Sequence, residues 1–305
     1  VSRGRPPSTA ALSPARDSRS LAQRPTKSTL VHDRFGSGEA IILLHGVGSR
    51  RGVWSPVSDL LAAHHDVVAV DFPGFGDSPS DARADGSIEA YATCIEELIA
   101  ELGIQHPHVV GNSMGGAVAL ELGRRGVARS VVAFAPIGFW RRPGLIWTRT
   151  AVRTMRAVSR PLRPLLPALA RSRTARGLLF GTFYGRPRQL DRTRGLADVE
   201  GLVSAAGVDS ALDGFGRWRL GTPGRLTEIP VTIAWGSRDV LLTYSTQARR
   251  ARWLVPWARH VSLDGCGHLP FPDDPAACLA AVLETTHATG PNHSTVGTRA
   301  TGVPR

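Results

Sequence analysis

Three side chains in this chain have the types and the placement for nucleophilic acyl chemistry: Ser113, Asp239 and His268. Ser113 lies in Val109-Val110-Gly111-Asn112-Ser113-Met114-Gly115-Gly116-Ala117, where a short apolar run passes through Gly-x-Ser-x-Gly into an Ala/Leu-rich helical pattern. Such a string predicts a strand that turns abruptly into a helix with the serine at the apex. A residue on so tight a turn is held in strained backbone geometry, and a side chain at Gly111 or Gly115 would strike neighbouring backbone. The helix that begins near Met114 directs its unpaired N–H groups and the positive end of its dipole at the hydroxyl, where negative charge would develop on an attacked carbonyl oxygen. A serine hydroxyl is a weak nucleophile by itself, so a base and an acid to orient that base are required elsewhere.

Those partners are to be sought where other strands end. The unalternating run Ala40-Ile41-Ile42-Leu43-Leu44 suits a strand buried on both faces and ends in His45-Gly46-Val47-Gly48. A strand over 66–70 runs into Asp71-Phe72-Pro73-Gly74-Phe75-Gly76-Asp77-Ser78, and Ser87 caps a predicted amphipathic helix over 88–102. Further strands are predicted over 130–134, 229–235 and 259–263, with helices over 246–254 and 275–287, the latter opened by Asp274-Pro275. Strands alternating with helices define an α/β class, with a mostly parallel central sheet and helices on both faces. The loop after Trp235 carries Gly236-Ser237-Arg238-Asp239 and the loop after Leu263 carries Gly265-Cys266-Gly267-His268, whereas the strand ending at Phe134 is followed by Ala135-Pro136 with no carboxylate nearby. The chain order is therefore serine, acid, histidine, all at one edge of the sheet.

From about Thr29 to His287 the chain resembles the α/β-hydrolase fold family, with a helical segment inserted after the strand ending at Phe134. The resemblance rests on five motifs in the family's order: His45-Gly46-Val47-Gly48, Asp71 to Ser78, Gly111 to Gly116, Gly236 to Asp239, and Gly267-His268. It implies a Ser113, Asp239, His268 triad that works through an acyl-enzyme, with the backbone N–H groups of Met114 and Val47 as the oxyanion hole. His45, Gly46 and Asn112 are candidate pocket-lining residues, His45 being read chiefly as an organiser of the glycine loop. No cofactor and no metal is expected. The elbow is similar to those of esterases and lipases and of carbon–carbon bond hydrolases. The first reading is cleavage of a small or medium-sized apolar carboxylic ester. A hydrolase of vinylogous diketones, an acyltransferase and a perhydrolase remain alternatives on the same triad, and a non-catalytic small-ligand receptor is an alternative of another class. Dehalogenase and epoxide-hydrolase chemistries of this fold place Asp where this chain has Ser113, and are disfavoured.

The 305 residues divide into a disordered basic N-terminal tail (1–27), a first core part (28–138), an Arg-rich helical cap (139–223), a second core part (224–287) and a flexible C-terminal tail (288–305). The N-terminal segment lacks the apolar stretch of a secretory signal. Three cysteines, Cys94, Cys266 and Cys278, share no metal-ligand spacing, and their odd number fits a reducing, cytoplasmic setting. The formal charge of +12 is concentrated: residues 140–195 hold fourteen arginines against the single acid Asp191, a net +13. Arg149, Arg153, Arg156, Arg160 and Arg163 recur at helical spacing beside an apolar stripe of Trp147, Ala151, Met155, Val158 and Leu162, predicting a helix over 145–159 broken by Pro161. Its apolar side is expected to cover the crevice with its arginines in water, or alternatively to bring the arginines to an anionic membrane surface. Nucleic-acid binding is disfavoured, because no aromatic-interleaved basic motif accompanies the charge.

Overall fold

The computed structural model describes residues 29–288, with residues 1 and 290. The tails assigned from sequence over 1–27 and 288–305 lie outside the described residues, apart from those at positions 1, 288 and 290. Seven strands form one sheet: β1 (His32–Gly36), β2 (Glu39–Leu44), β3 (His65–Val70), β4 (His108–Asn112), β5 (Ser130–Phe134), β6 (Val231–Gly236) and β7 (Arg259–Leu263). Their spatial order is β1-β3-β2-β4-β5-β6-β7; β1 runs antiparallel to β3, and every other pairing is parallel. The central β4 and β5 are buried on both faces, which is why they read as unbroken apolar runs and not as alternating ones.

Helices α1 (Ser55–Ala62), α2 (Ile88–Glu101) and α3 (Met114–Arg125) connect the first strands. The Ser87 hydroxyl caps α2 by accepting from the Ala90 N–H at 3.2 Å. Between β5 and β6 the chain passes through α4 (Arg142–Leu162), α5 (Leu166–Leu169), α6 (Arg173–Phe180), α7 (Arg192–Ser204) and α8 (Val208–Gly214). Helices α9 (Arg249–Leu254) and α10 (Pro275–Thr286) complete the fold, and Asp274 caps α10 through the Ala277 N–H at 3.0 Å. Apolar side chains fill both sides of the sheet, with Ile42, Val109 and Val131 in one cluster and Ile41, Val110 and Val132 in the other. This is the two-sided packing that a parallel sheet requires.

Three local expectations are corrected. Helix α4 runs through Pro161 into its last turn, so the proline ends the helix without excluding itself from it. Residues 244–248 form a wide π-type turn, and the regular helix begins only at Arg249. Most importantly, the α4 arginines are only partly in water: Arg153, Arg160 and Arg163 are exposed, Arg149 is half-buried and Arg156 is buried, and four of these five have partners in the insertion. Arg149 donates to the carbonyls of Leu212 and Asp213 at 2.7 and 2.8 Å. Arg153 reaches Asp213, Arg156 reaches Asp209 and the Ala205 carbonyl, and Arg163 reaches Glu200. The buried positions of α4 are Thr148, Val152 and Arg156, spaced four apart, while Trp147 and Val158 of the apolar stripe are exposed. The long guanidinium arms reach carbonyls and carboxylates at the end of α7 and along α8, so the charged stripe clamps the inserted helices together.

Candidate active site

Ser113 sits at the junction of β4 and α3 with φ +56° and ψ −113°. The glycines around it are dictated by contact: a Cβ at Gly111 would lie 2.0 Å from the Gly115 carbonyl oxygen, and one at Gly115 would lie 2.2 Å from the Leu44 carbonyl oxygen. The Ser113 N–H donates to the Phe134 carbonyl at 2.9 Å, and the next free turn of α3 is tied back by Gly115 N–H to the His45 carbonyl at 3.1 Å. Backbone strain of this kind persists only where the surroundings over-determine it.

Asp239 and His268 are both buried and joined: His268 Nδ1 lies 2.8 Å from Asp239 Oδ2. The second carboxylate oxygen accepts the N–H groups of Leu241 and Leu242 at 2.9 and 2.8 Å, so the loop that follows Asp239 holds its own acid in place. With Nδ1–H committed to the carboxylate, the His268 ring presents Nε2 as its acceptor nitrogen. Ser113 and His268 line one cavity of about 30 Å³, with Gly46, Val47, Asn112 and Leu241 on the core side and Val152, Phe183, Asp198 and Leu202 on the side of the inserted helices. The structure thus brings all three sequence-predicted residues into one neighbourhood. Met114 is the first residue of α3, and Val47 lies on the cavity wall.

Of the candidate lining residues, Gly46 and Asn112 are on the wall and His45 is behind it. His45 Nδ1 lies 2.7 Å from the Gly46 carbonyl and its Nε2 accepts the Phe72 N–H at 3.1 Å. The ring is therefore the neutral Nδ1–H tautomer, and complete burial lowers its proton affinity further. Its role is to tie the glycine loop to the loop after β3. Asp71, the first residue of the loop after β3, is fully buried and accepts from the Arg51 backbone at 2.6 Å, the Arg51 guanidinium and the Asp77 N–H. Cys266 is a buried free thiol that desolvation pushes up to about 12, which leaves it inert as a nucleophile.

Two acidic residues of the site, Asp273 and Asp198, escaped the sequence reading. The Asp273 carboxylate accepts from the backbone N–H groups of Gly185, Arg186 and Gly267 at 2.8, 2.9 and 2.8 Å. It therefore fastens the histidine loop to the chain after α6, a connection repeated by Leu269 N–H to the Phe183 carbonyl at 2.8 Å. Asp198, on α7, lines the cavity shared by Ser113 and His268 and also an outer hollow beside Arg50 and Arg194. It accepts a hydrogen bond from the buried Tyr184 hydroxyl. Desolvation pushes its carboxyl up to about 6 against the pull of Tyr184, Arg194 and Arg50. A signal existed for Asp198 only in the rarity of acids in the Arg-rich insertion.

A profile of the alpha/beta hydrolase family matches residues 41–281, and the chain belongs to that family. It is 30% identical over 271 residues to an uncharacterized protein of Mycobacterium tuberculosis, covering 84% of this chain and 77% of the relative. Over 90 residues it is 42% identical to the pimeloyl-[acyl-carrier protein] methyl ester esterase of Aeromonas salmonicida, a match that covers 30% of this chain and 34% of that enzyme. A thermophilic esterase from Thermogutta terrifontis shares the fold with a TM-score of 0.63 at 21% identity, covering 84% of this chain and 92% of the esterase.

Proposed function

We propose that this hydrolase cleaves a small or medium-sized, apolar carboxylic ester through an acyl-enzyme, with Ser113 as nucleophile, His268 as general base and acid, and Asp239 as its orienting acid. The observation that carries the reading is the His268–Asp239 pair at 2.8 Å opening into the same cavity as the strained Ser113. His268 Nε2 takes the hydroxyl proton as Ser113 Oγ bonds to the acyl carbon, and Asp239 stabilises the imidazolium that results. The oxyanion is held by the N–H groups of Met114 and Val47. Collapse breaks the ester C–O bond and His268 returns the proton to the departing alkoxide. Water, deprotonated by the same nitrogen, then releases the acid and restores the serine.

The apolar wall of Val152, Phe183, Leu202 and Leu269 favours an apolar acyl group. A space of about 30 Å³ holds little more than one water molecule, so binding requires the inserted helices to yield, which makes them a cap. The test is labelling by a fluorophosphonate probe together with turnover of p-nitrophenyl esters of graded length. Labelling at Ser113 that is lost in Ser113→Ala, with ester turnover lost in parallel, is the expected result. Labelling without turnover of any ester would transfer the protein to the receptor reading, and unimpaired turnover by Ser113→Ala would remove the nucleophile.

A further inference from the structure

The surface around the start of α4 and the whole of α9 has a composition that the catalytic cavity does not explain. Two concavities adjoin there, of about 610 and 480 Å³, sharing Pro143 as their common wall. The larger is lined by Arg141, Arg249, Arg250 and Trp253, the smaller by Arg142, Ile146 and Trp147, and no acidic residue lines either. Trp253 is 74% exposed, Ile146 55% and Trp147 49%, a density of large apolar side chains in water that soluble surfaces seldom carry without use. The Trp147 indole N–H donates to the carbonyl of Val240, itself exposed, which extends the apolar patch to the loop after β6.

The charge on this face is uncompensated. Further along, Arg149, Arg153, Arg156 and Arg163 are taken up by Asp209, Asp213, Glu200 and backbone carbonyls, whereas Arg141, Arg142, Arg249 and Arg250 pair with no carboxylate among the described residues. Arg250 instead lies 6.0 Å from the centre of the Trp253 ring. The positive field is felt by a neighbour: the Arg219 guanidinium is lowered from its ordinary value by burial and by the charges of Arg250 and Arg149. Gln247, on the wall of the larger concavity, is buried with both amide atoms unpartnered.

We infer that this face docks the protein peripherally on an anionic bilayer, with Ile146, Trp147 and Trp253 entering the interface and Arg141, Arg142, Arg249 and Arg250 meeting the acidic head groups. A bilayer is the partner that matches both halves of the surface, since indoles favour the boundary between head groups and chains and arginines are drawn to the negative surface potential. A free anion would satisfy the guanidiniums and leave the exposed indoles unexplained. No described helix is long and apolar enough to cross a membrane. Val240 follows the proposed catalytic acid and precedes Leu241 of the cavity wall, which places the catalytic cavity next to the docked face. The arginines of this proposal are those at the helix's start and on α9, a different set from the α4 stripe that the sequence suggested for such a contact.

The test is co-sedimentation of the full chain with vesicles of phosphatidylcholine alone and of phosphatidylcholine mixed with phosphatidylglycerol. Selective sedimentation with the anionic vesicles, weakened by salt, is expected. The double substitution Arg249→Gln/Arg250→Gln should reduce the partition coefficient roughly 30-fold, from about fivefold per charge. Ile146→Ser/Trp253→Ser should reduce it at least tenfold, while Leu178→Ser, at an exposed apolar residue that lines neither concavity, should leave it unchanged. Quenching of wild-type tryptophan fluorescence by brominated lipid reads the same contact without any variant. No sedimentation with either vesicle overturns the proposal, as do variants that sediment like wild type. Inorganic phosphate bound at these arginines by a protein that ignores vesicles overturns it too, by reassigning the arginines to a free anion. Hydrolysis of p-nitrophenyl acetate without vesicles reports on the ester reading separately, so failure of one leaves the other standing.

Discussion

The Asn112 side-chain amide donates to the His268 carbonyl at 3.1 Å and to the Phe134 carbonyl at 3.2 Å. One side chain thus ties the residue before Ser113 to the residue that bears the imidazole, 156 positions away in the chain. Phe134 also accepts the Ser113 N–H, so the elbow, the end of β5 and the histidine loop share one buried hydrogen-bond junction. Such a junction fixes distances that loops alone would leave soft.

Asn112→Ala is therefore expected to act on positioning. It leaves the His268 carbonyl without this partner and costs about 1–3 kcal/mol of stability, while kcat for a p-nitrophenyl ester falls roughly tenfold or more and KM moves little. Asn112→Asp should be worse for stability, because it buries a carboxylate against two carbonyl oxygens. Steady-state kinetics that show a change in KM alone would place Asn112 with substrate binding and not with alignment of the triad.

Leu202 restricts the cavity. It is buried, lines the cavity wall, and packs so closely on the glycine loop that a Cβ at Gly48, where φ is +70°, would lie 2.5 Å from its Cδ1. Leu202→Ala should cost about 2–5 kcal/mol as a core truncation and shift the preferred acyl chain to longer esters. Profiling a series from acetate to dodecanoate checks this, and an unaltered optimum would show that another residue sets the pocket depth.

Arg156 holds the inserted helices together from inside. Its guanidinium is buried, donating to Asp209 at 2.6 Å and to the Ala205 carbonyl at 2.7 Å, with Nε unpartnered. Arg156→Ala strands that carbonyl and opens space beneath α4, at an expected cost of about 3 kcal/mol. Arg156→Met keeps the aliphatic stem and should recover part of the loss. Thermal unfolding of wild type and the two variants separates packing from pairing, and a melting temperature for Arg156→Met equal to that of wild type would mean that the charge contacts contribute nothing.

The sequence pattern was most legible where structure is local. The runs that became β2, β4, β5 and β7, and the caps Ser87 and Asp274, follow from period, composition and side chains that bond within three residues. Ser113, Asp239 and His268 were legible because a parallel sheet brings its strand ends to one edge. What escaped depends on chain segments meeting: the α4 arginines find partners 37 to 64 residues away, and Asp273 binds amides on both the histidine loop and the insertion. Helical period marks a stripe but cannot tell whether a long cation on it reaches solvent or a neighbouring carbonyl. Residues 246–248, at the start of the helix expected over 246–254, belong instead to the wider turn, because nothing in their composition distinguishes that winding.

Asp198 links the cavity to pH. Its carboxyl is pushed up to about 6, chiefly by desolvation, above an unfolded value near ~4. Between those two values the folded chain retains a proton that the unfolded chain has lost, so this group's contribution is fully present below about pH 4 and lost as pH rises through about 6. Asp198→Asn stays neutral throughout, keeps an oxygen for the Tyr184 hydroxyl, and should be more stable than wild type at pH 8 by on the order of 1 kcal/mol, with the gap closing toward pH 4.5. The same proton bears on substrate choice: above about pH 6 an anion stands on the wall of the cavity that His268 also lines, with Arg194 and Arg50 as the cations that moderate it. Turnover of esters with an anionic acyl tail should therefore fall relative to neutral esters as pH rises from 5 to 7 in the wild type, and stay level in Asp198→Asn. Melting curves and paired-substrate kinetics across that range read both effects, and a stability difference independent of pH would show that Asp198 does not titrate there.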